Sequence, residues 1–457
     1  MASAEAGNKC DGKKIAAYAL VGFSVLLTLR VGMNGAPFCM KRFKIPEHLF
    51  SLYVSRVHNC MELGCSAGVT AGTIYNIKYG GEYKQKCEKV SIGINLLFFL
   101  VNVVLLIVFV TGGEEGHLTD FYWTLALSAF IYGMNLTFII KLAGDCIVYY
   151  LATLHVSGIF ISLYHFIFLK LFGNRRKFNT DYLIIMWQII LSIIITAATA
   201  SVWTKAYTNG NGNDKCGENG SSQKNGNGGS AEVAISPMIM CVFAQCVVYI
   251  FYPAIAPGLL VDFRHVNKID QALLIIAPIP SITFAVLDAA KQDKYTPKNE
   301  WTGGKEAWHG TLIFIPIMII CGYLFIKALH YPHSGISLAI INNPRMVGFL
   351  TILFYMSHMI LLAVGFPGVE KNSGSAKDYL PTINTFMTTI FMVLLIFFGE
   401  GYVNEFKKHD RSYWPTQGLS TKRAFGFWFD KAIQNAFKNF LLIFTRDLRR
   451  DLMSALD

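Results

Sequence analysis

Charged residues are scarce in this 457-residue chain, since Asp, Glu, Lys and Arg together make up 15% of it. Soluble domains carry roughly 25% of these residues, so the composition argues against a soluble enzyme or binding module. The sequence has no P-loop, no HExxH, no GxSxG and no clustered His/Asp set. We therefore expect no enzyme activity, no metal site and no cofactor.

Acidic residues are outnumbered by basic ones, which gives the chain a net charge of +11. No nucleic-acid-binding motif accompanies this charge, so we expect no nucleic-acid polymer as a partner. The basic residues lie between apolar runs and in the C-terminal tail, where positive charge is typical of contact with lipid headgroups. The ten cysteines include no CxxC pair, and we expect them to be small buried residues.

Long apolar runs are what the sequence has in abundance, with 53% hydrophobic residues overall. Runs of about 18 or more such residues cross a bilayer as helices, and barrel strands would instead alternate apolar and polar positions. The sequence predicts an all-α polytopic transmembrane bundle of about eleven spans. The predicted spans are 14–36, 48–77, 92–112, 119–141, 145–171, 182–204, 235–263, 268–290, 311–330, 346–366 and 381–402.

The most polar of these spans is 48–77, which contains Arg56 and Glu62. Its glycines at 64, 68 and 72 recur every four residues and so share one helix face. Small residues in this pattern allow two helices to approach closely in a membrane. We predict that this span is buried inside the bundle.

The chain divides into four parts by composition. Residues 1–204 form a first six-helix bundle, and 205–232 form a Gly/Asn/Ser-rich linker that we expect to be disordered. Residues 233–402 form a second, five-helix bundle, and 403–457 form a basic tail. The tail contains an amphipathic stretch, Phe425–Leu452, which either lies on the membrane surface or docks on the protein's own loops.

Several charged residues lie within or beside the spans, where they are functional candidates. Lys141 and Asp145 share a face if one helix contains both, or flank a turn at Gly144 that separates two spans. Arg30 lies near the end of the first span, from which it could extend to the headgroups. His165 and His358 are expected to be packing residues with satisfied hydrogen bonds.

Prolines mark two broken segments in the second bundle. Pro253 and Pro257 each remove a backbone donor, and the stretch IAPIPSI follows in the next span. Broken helices surround the substrate sites of many transporters. We predict that Asp288 faces a polar pocket shared with Tyr252 and Pro253; the alternative is that it caps its span in water beside Lys291.

Eleven spans divided six plus five by a hydrophilic loop resemble the equilibrative nucleoside transporter family. Tyr252-Pro253-Ala254-Ile255 is similar to that family's Phe-Pro-Ala-Val/Ile element in the seventh span. Phe284 and Asp288 keep the spacing of its eighth-span Phe-Asn-x-x-Asp motif, although the Gly-Arg that should follow is absent. Leu142-Ala143-Gly144 is similar to a further element of the family.

The resemblance implies facilitated transport of a nucleoside or nucleobase across the plasma membrane, with two bundles rocking around a midplane site. The residues it suggests for substrate binding are Asp288, Tyr252, Pro253, Lys141 and Asp145. Two alternatives remain open. One is a non-transporting scaffold or surface protein, whose polar residues would face the loops. The other is a lipid-modifying enzyme, which needs His, Asp or Glu converging at one membrane face.

The sequence favours a cytoplasmic N terminus and linker, because the loops on that side contain more Lys and Arg residues than those opposite when the tail is left out; the basic tail favours the reverse orientation. Asn219-Gly220-Ser221 is a glycosylation sequon that is usable only if the linker is on the other side. Glycosylation of Asn219 in native membranes, detected as a mass shift removed by an amidase, would contradict this orientation.

Overall fold

The computed structural model describes residues 12–79, 84–208, 231–376, 379–410 and 413–454. Within these ranges the chain forms α-helices joined by turns and short 3-10 helices, and no β-strand occurs. The prediction of an all-α bundle is confirmed. Its physical cause is that backbone groups in lipid must bond within their own segment.

The first half of the bundle contains eight helices, of which two are short pieces that follow the first. They are α1 (Gly12–Val25), α2 (Leu27–Met33), α3 (Ala36–Arg42), α4 (Phe50–Tyr79), α5 (Lys84–Val110), α6 (Leu118–Ala143), α7 (Ile147–Phe172) and α8 (Thr180–Thr208).

The second half and the tail contain the other nine helices of the described residues. They are α9 (Ile235–Phe251), α10 (Phe263–Ile276), α11 (Ile279–Ala289), α12 (Phe314–His330), α13 (Gly335–Ile341), α14 (Pro344–Asn372), α15 (Leu380–Phe406), α16 (Thr421–Leu441) and α17 (Leu448–Met453).

Nine segments of the described chain are long and apolar enough to cross a bilayer. One of them, Leu118–Phe172, has 55 residues and folds as two helices, α6 and α7. The more polar α4 is not among the nine, but its 30 residues reach about 45 Å, against a hydrocarbon core of roughly 30 Å. Each of the eleven predicted runs therefore contains helix, although not over its whole length, and the chain is an integral multi-pass membrane protein.

Successive long helices run in opposite directions, so their ends define two faces of the bundle. Face A is the one at which α1 begins, and face B is the one at which α2 ends. Contacts between loops agree with this assignment: Lys44 pairs with Glu114 at face B, with 2.6 Å between Nζ and Oε2, and Lys371 pairs with Asp145 at face A.

Helices α4 and α6 pack more closely than ordinary side chains allow. A Cβ atom added to Gly68 would lie 1.9 Å from the carbonyl oxygen of Phe130, and one added to Gly133 would lie 2.0 Å from that of Cys65. Gly64 meets the α6 backbone in the same way. The predicted small-residue face of the 48–77 span is therefore confirmed, and α6 supplies a facing glycine of its own.

The proline-rich segments interrupt the helices of the second half. The predicted span 235–263 is shorter than expected, because α9 ends at Phe251 and the turns around Pro253 and Pro257 lead to α10. Proline lacks the N–H that continues a helix, which accounts for the break. The run 268–290 is likewise divided, at Pro278, into α10 and α11.

The linker is also shorter than predicted at its two ends. Helix α8 continues to Thr208, because the Tyr207 hydroxyl lies 2.8 Å from that of Tyr18 and its ring packs on Trp203. Residues Ala231–Ala234 form a 3-10 helix that leads into α9. The remainder of the predicted linker, 209–230, lies outside the described residues.

Candidate functional site

Arg30 on α2 points into the bundle, between its two halves. Its Nε donates to the Ser157 hydroxyl on α7 at 3.0 Å, and its Nη1 reaches the Asn34 side-chain oxygen at 3.4 Å. Gly158 makes room for the guanidinium, because a Cβ there would lie 2.9 Å from Nη2. The expectation that Arg30 extends to the headgroups is wrong, since polar partners and space are available on the inner side.

Tyr252 lies at the break that follows α9, and its hydroxyl donates to Asp270 Oδ1 on α10 at 2.9 Å. The chain reverses between Tyr252 and Asp270, through the turns that join α9 to α10, so that two residues 18 positions apart meet. The Tyr252 ring packs edge-on against Tyr355 of α14, with 4.8 Å between the ring centroids. Three elements of the second half therefore converge on this point.

Arg30 and this group form one site, which we call the central cluster: Arg30, Tyr252, Asp270 and Tyr355. The guanidinium interacts electrostatically with both tyrosine hydroxyls, and Tyr355 interacts with both Arg30 and Asp270. Among the described residues, Arg30 and Asp270 make no direct ion pair. The two tyrosine hydroxyls are thus near enough to both a cation from the first half and an anion from the second to interact with them electrostatically.

The central cluster keeps unused hydrogen-bonding capacity. A guanidinium has five N–H donors, of which the described residues accept two from Arg30. In the same part of the chain, Asp270 accepts one hydrogen bond, on Oδ1. An intramembrane charge is stable only with a partner or water nearby. The cluster can therefore bind a solute that both donates and accepts hydrogen bonds.

The histidines of α7 and α14 have hydrogen-bond partners within the bundle. His358 Nδ1 lies 3.0 Å from the Ala244 carbonyl, and His155 Nδ1 lies 3.4 Å from that of Leu151. His165 Nε2 contacts the Gln188 side-chain oxygen at 2.8 Å. The expectation that His165 and His358 are satisfied packing residues is confirmed.

Lys141 and Asp145 lie on the two sides of a turn, as in the second of the two sequence interpretations. Helix α6 ends at Ala143, and Gly144 has a positive φ of 50° that few other residues adopt. The Asp145 carboxylate pairs with Lys371 of α14. This ion pair joins the two halves at face A.

Asp288 lies near face A, at the end of α11, and its carboxylate pairs with Lys298. It also interacts electrostatically with the Tyr149 hydroxyl of α7. Asp270 precedes it by 18 residues, about five helical turns. The structure therefore gives Asp288 and Tyr252 different partners, and Asp288 pairs with Lys298 rather than with Lys291. Its part in substrate binding stays a prediction.

The halves are joined at face B by Glu400 of α15. Its carboxylate accepts hydrogen bonds from the Ser55 hydroxyl and the Asn59 amide, both on α4. Helix α15 packs along α4 over this region. Contacts between the halves thus exist at face A and at face B, with the central cluster between them.

The Asp145–Lys371 pair gives a test of the face A contact. Replacing Asp145 with Lys or Lys371 with Asp places like charges together and should lower the unfolding midpoint, whereas the double exchange should restore it. Both side chains are about a quarter exposed, so we expect a coupling of about 0.5–1 kcal/mol. Additive effects in this double-mutant cycle would contradict the contact.

Two residues of the central cluster were missed by sequence analysis. Asp270 lies in the middle of the amphipathic helix α10 and was counted as part of an apolar span, although it is acidic and is the third residue of that span. Tyr355 carries no local signal, because tyrosine is common in apolar spans. The acidic residue was the available signal, and its partners depend on the chain reversal between α9 and α10.

No family model matches this sequence, and no curated protein matches it. Among solved structures, the chain is similar to the major facilitator superfamily proton:xylose symporter XylE bound to 6-bromo-6-deoxy-D-glucose, with a TM-score of 0.50 and 13% identity over 94% of this chain and 95% of that one. A bacterial homologue of the iron transporter ferroportin, in an outward-facing state with soaked iron, gives a TM-score of 0.44 and 10% identity over 94% and 97%.

The likeness to the symporter concerns the fold: this is a multi-pass membrane protein whose helical fold is similar to that of this symporter. At 13% identity this likeness is evidence of the fold alone. The comparisons support a fold seen in membrane transporters, and they do not show the equilibrative nucleoside transporter family. The substrate is therefore argued from the site.

Proposed function

We propose that this protein is a facilitative transporter of a small polar solute, with nucleosides and nucleobases as the favoured class. The observation that carries the proposal is the central cluster, in which Arg30 of the first half and Asp270 of the second half retain unused donors and acceptors. Transporters place substrate sites between their halves near the bilayer midplane. A site shared by both halves supports movement of one half against the other.

The chemistry of the cluster fits a solute with neighbouring hydroxyl groups and a flat ring. One hydroxyl donates to the Asp270 carboxylate while another accepts from the Arg30 guanidinium, and such charge-assisted bonds are the stronger ones. The rings of Tyr252 and Tyr355 offer an aromatic surface beside them. A ribose attached to a base has both features. In this proposal Tyr252 contacts the solute, and Pro253 forms the helix break that positions Tyr252. The other three residues bind the solute nearer face A: Asp288, Lys141 and Asp145.

If the protein were a scaffold, the polar residues of its spans would face the loops rather than the inside of the bundle. The inward position of Arg30, with Ser157 and Gly158 arranged around it, supports the transporter instead. A lone charge of this kind is costly in a bilayer, so a purely structural protein gains little from keeping it.

Uptake by the purified full chain in proteoliposomes tests the proposal. We expect radiolabelled adenosine and hypoxanthine to enter faster than in protein-free liposomes, and excess unlabelled solute to compete. Glucose and leucine serve as comparison solutes of similar size. Uptake of glucose or leucine alone would contradict the nucleoside class, and no uptake of any of the four would favour the scaffold.

A further inference from the structure

The C-terminal segment joins the two halves at face B. Helix α16 belongs to the second half, because Asn435 donates to the Gly401 carbonyl at 3.2 Å and to Glu405 Oε2 at 2.9 Å. A Cβ on Gly401 would lie 2.2 Å from the carbonyl oxygen of Ala432. Such a close approach of α16 to α15 requires glycine at this position.

The start of α16 is fixed by an aromatic group at face B. The buried Trp428 ring packs against His330 of α12, with 4.9 Å between the ring centroids, and against Trp414 at 5.2 Å. Tyr402 and Phe406 of α15 complete the group. Large aromatic rings in mutual contact hold this end of the helix firmly on the second half.

The residues after α16 cross to the first half. The Tyr122 hydroxyl donates to the Ile443 carbonyl at 2.9 Å, and the Trp123 indole N–H donates to the Thr445 carbonyl at 3.2 Å. The Leu448 N–H donates to the Thr119 hydroxyl at 3.1 Å. All three first-half residues lie in the first two turns of α6, at face B.

Apolar burial reinforces this crossing. The side chains of Ile443, Leu448 and Leu452 are at most 2% exposed and lie in the same core cluster as Phe43 and Phe121 of the first half. Arg449 adds a hydrogen bond to the Glu115 carbonyl at 2.9 Å. Burial of aliphatic side chains away from water is a main source of stability, so this contact is not a loose surface association.

The outer side of α16 is an apolar stripe. Five large apolar residues recur every four positions and are 46–68% exposed: Phe425, Phe429, Ile433, Phe437 and Leu441. Four basic residues flank them: Lys422, Arg423, Lys431 and Lys438. Aromatic residues bordered by basic ones match the boundary between acyl chains and headgroup phosphates. The occupant of the stripe is therefore bilayer lipid.

We propose that residues 421–453 form a strap that holds face B closed, with its inner side bound to both halves and its outer stripe held by the bilayer. The inference rests on the proposed function, because a strap limits transport only if the halves move. Opening face B separates α15 from α6, and the strap connects these two helices. Release of 443–453 from α6 then sets how often face B opens.

The test measures the separation of the halves directly. Spin labels on Arg176→Cys and His333→Cys, in exposed loops of the two halves at face B, report the distance across it. The seven free cysteines of the described residues are buried. Cys10 and Cys216, which lie outside those residues, are replaced with serine in every sample, so that labelling favours the introduced sites. We expect one distance population in the full chain in liposomes, and an added longer population when Thr119→Val, Tyr122→Phe and Arg449→Ala are combined.

Two further variants keep the test decisive. Arg450→Ala removes a neighbouring exposed arginine whose side chain makes no hydrogen bond or ion pair among the described residues, and it should leave the distances unchanged. Ile433→Gln with Phe437→Gln weakens the bilayer contact and should lengthen the distance as the inner variant does. Unchanged distances in the inner variant would overturn the strap, and unchanged distances in the stripe variant would overturn its lipid contact.

Uptake measured on the same samples separates the strap from the proposed function. Longer distances without uptake of any solute would support the strap and contradict transport. Uptake with unchanged distances would support transport and overturn the strap. Deleting residues 442–457 should give the same longer population if the shortened chain remains folded, and the point variants decide the question if it does not.

Discussion

Replacing Gly68 with Leu is expected to prevent the bundle from folding. The Cβ atom alone would lie 1.9 Å from the Phe130 carbonyl oxygen, which is backbone and cannot rotate away. Helices α4 and α6 would have to separate along their length, losing the densest helix pair in the described structure. Overpacking typically costs about 1–3 kcal/mol, and more where backbone is displaced. We expect no monodisperse peak in size-exclusion chromatography.

A matched control exists on the next helix. Gly93 lies in the interior of α5, but a Cβ there has no neighbour within 4 Å. Gly93→Leu should therefore give a folded protein with an unchanged melting midpoint. Gly68→Ala should fall between the two, with a lowered midpoint. A normal melting curve for Gly68→Leu would refute the close packing of α4 on α6.

Asp270→Asn is expected to reduce solute uptake by roughly 10- to 100-fold, because a hydrogen bond to a charged group contributes about 1.5–3 kcal/mol. The amide keeps the volume of the carboxylate, so the protein should remain in the membrane with normal yield. Arg30→Gln should have an effect of similar size. If both residues hold one solute, the double variant should lose less than the product of the single losses.

The control for this pair is Asp262→Asn, eight residues earlier in the chain. Asp262 is exposed at the start of α10 and makes no capping hydrogen bond. Its replacement should leave uptake unchanged. Asp288→Asn tests the site that the sequence predicted against the central cluster. We expect it to reduce solute uptake less than Asp270→Asn does. Full uptake by Asp270→Asn, at normal protein yield, would remove the central cluster from the proposal.

The sequence was sufficient for the fold because its strongest signals are local. Long apolar runs define helices without reference to any distant residue, and the glycine repeat at 64, 68 and 72 already identifies a helix face suited to close packing. The partner face on α6, which includes Gly133, could be predicted only if α6 were known to be the neighbour of α4. A single sequence does not show which helices are neighbours.

The site was predicted less well for a physical reason. A proline break indicates that a helix ends, and it gives no information on where the chain goes next. The break at Pro253 was predicted, and so was a polar role for Tyr252. The carboxylate that Tyr252 meets was predicted to be Asp288, whereas the reversal of the chain brings Asp270 to it. Arg30 was assigned to the lipid side because its first-half partner, Ser157, lies 127 residues away.

The position of Leu448 also bears on how the protein is made. Its backbone N–H bonds to Thr119, 329 residues earlier in the chain. At a synthesis rate of about 5–20 residues per second, the ribosome needs roughly 15–65 seconds to produce the residues between them. Until then the start of α6 is not covered by the C-terminal segment. The N-terminal helices are therefore inserted in the membrane before their packing is complete, and we expect truncation at the C terminus to impair biogenesis.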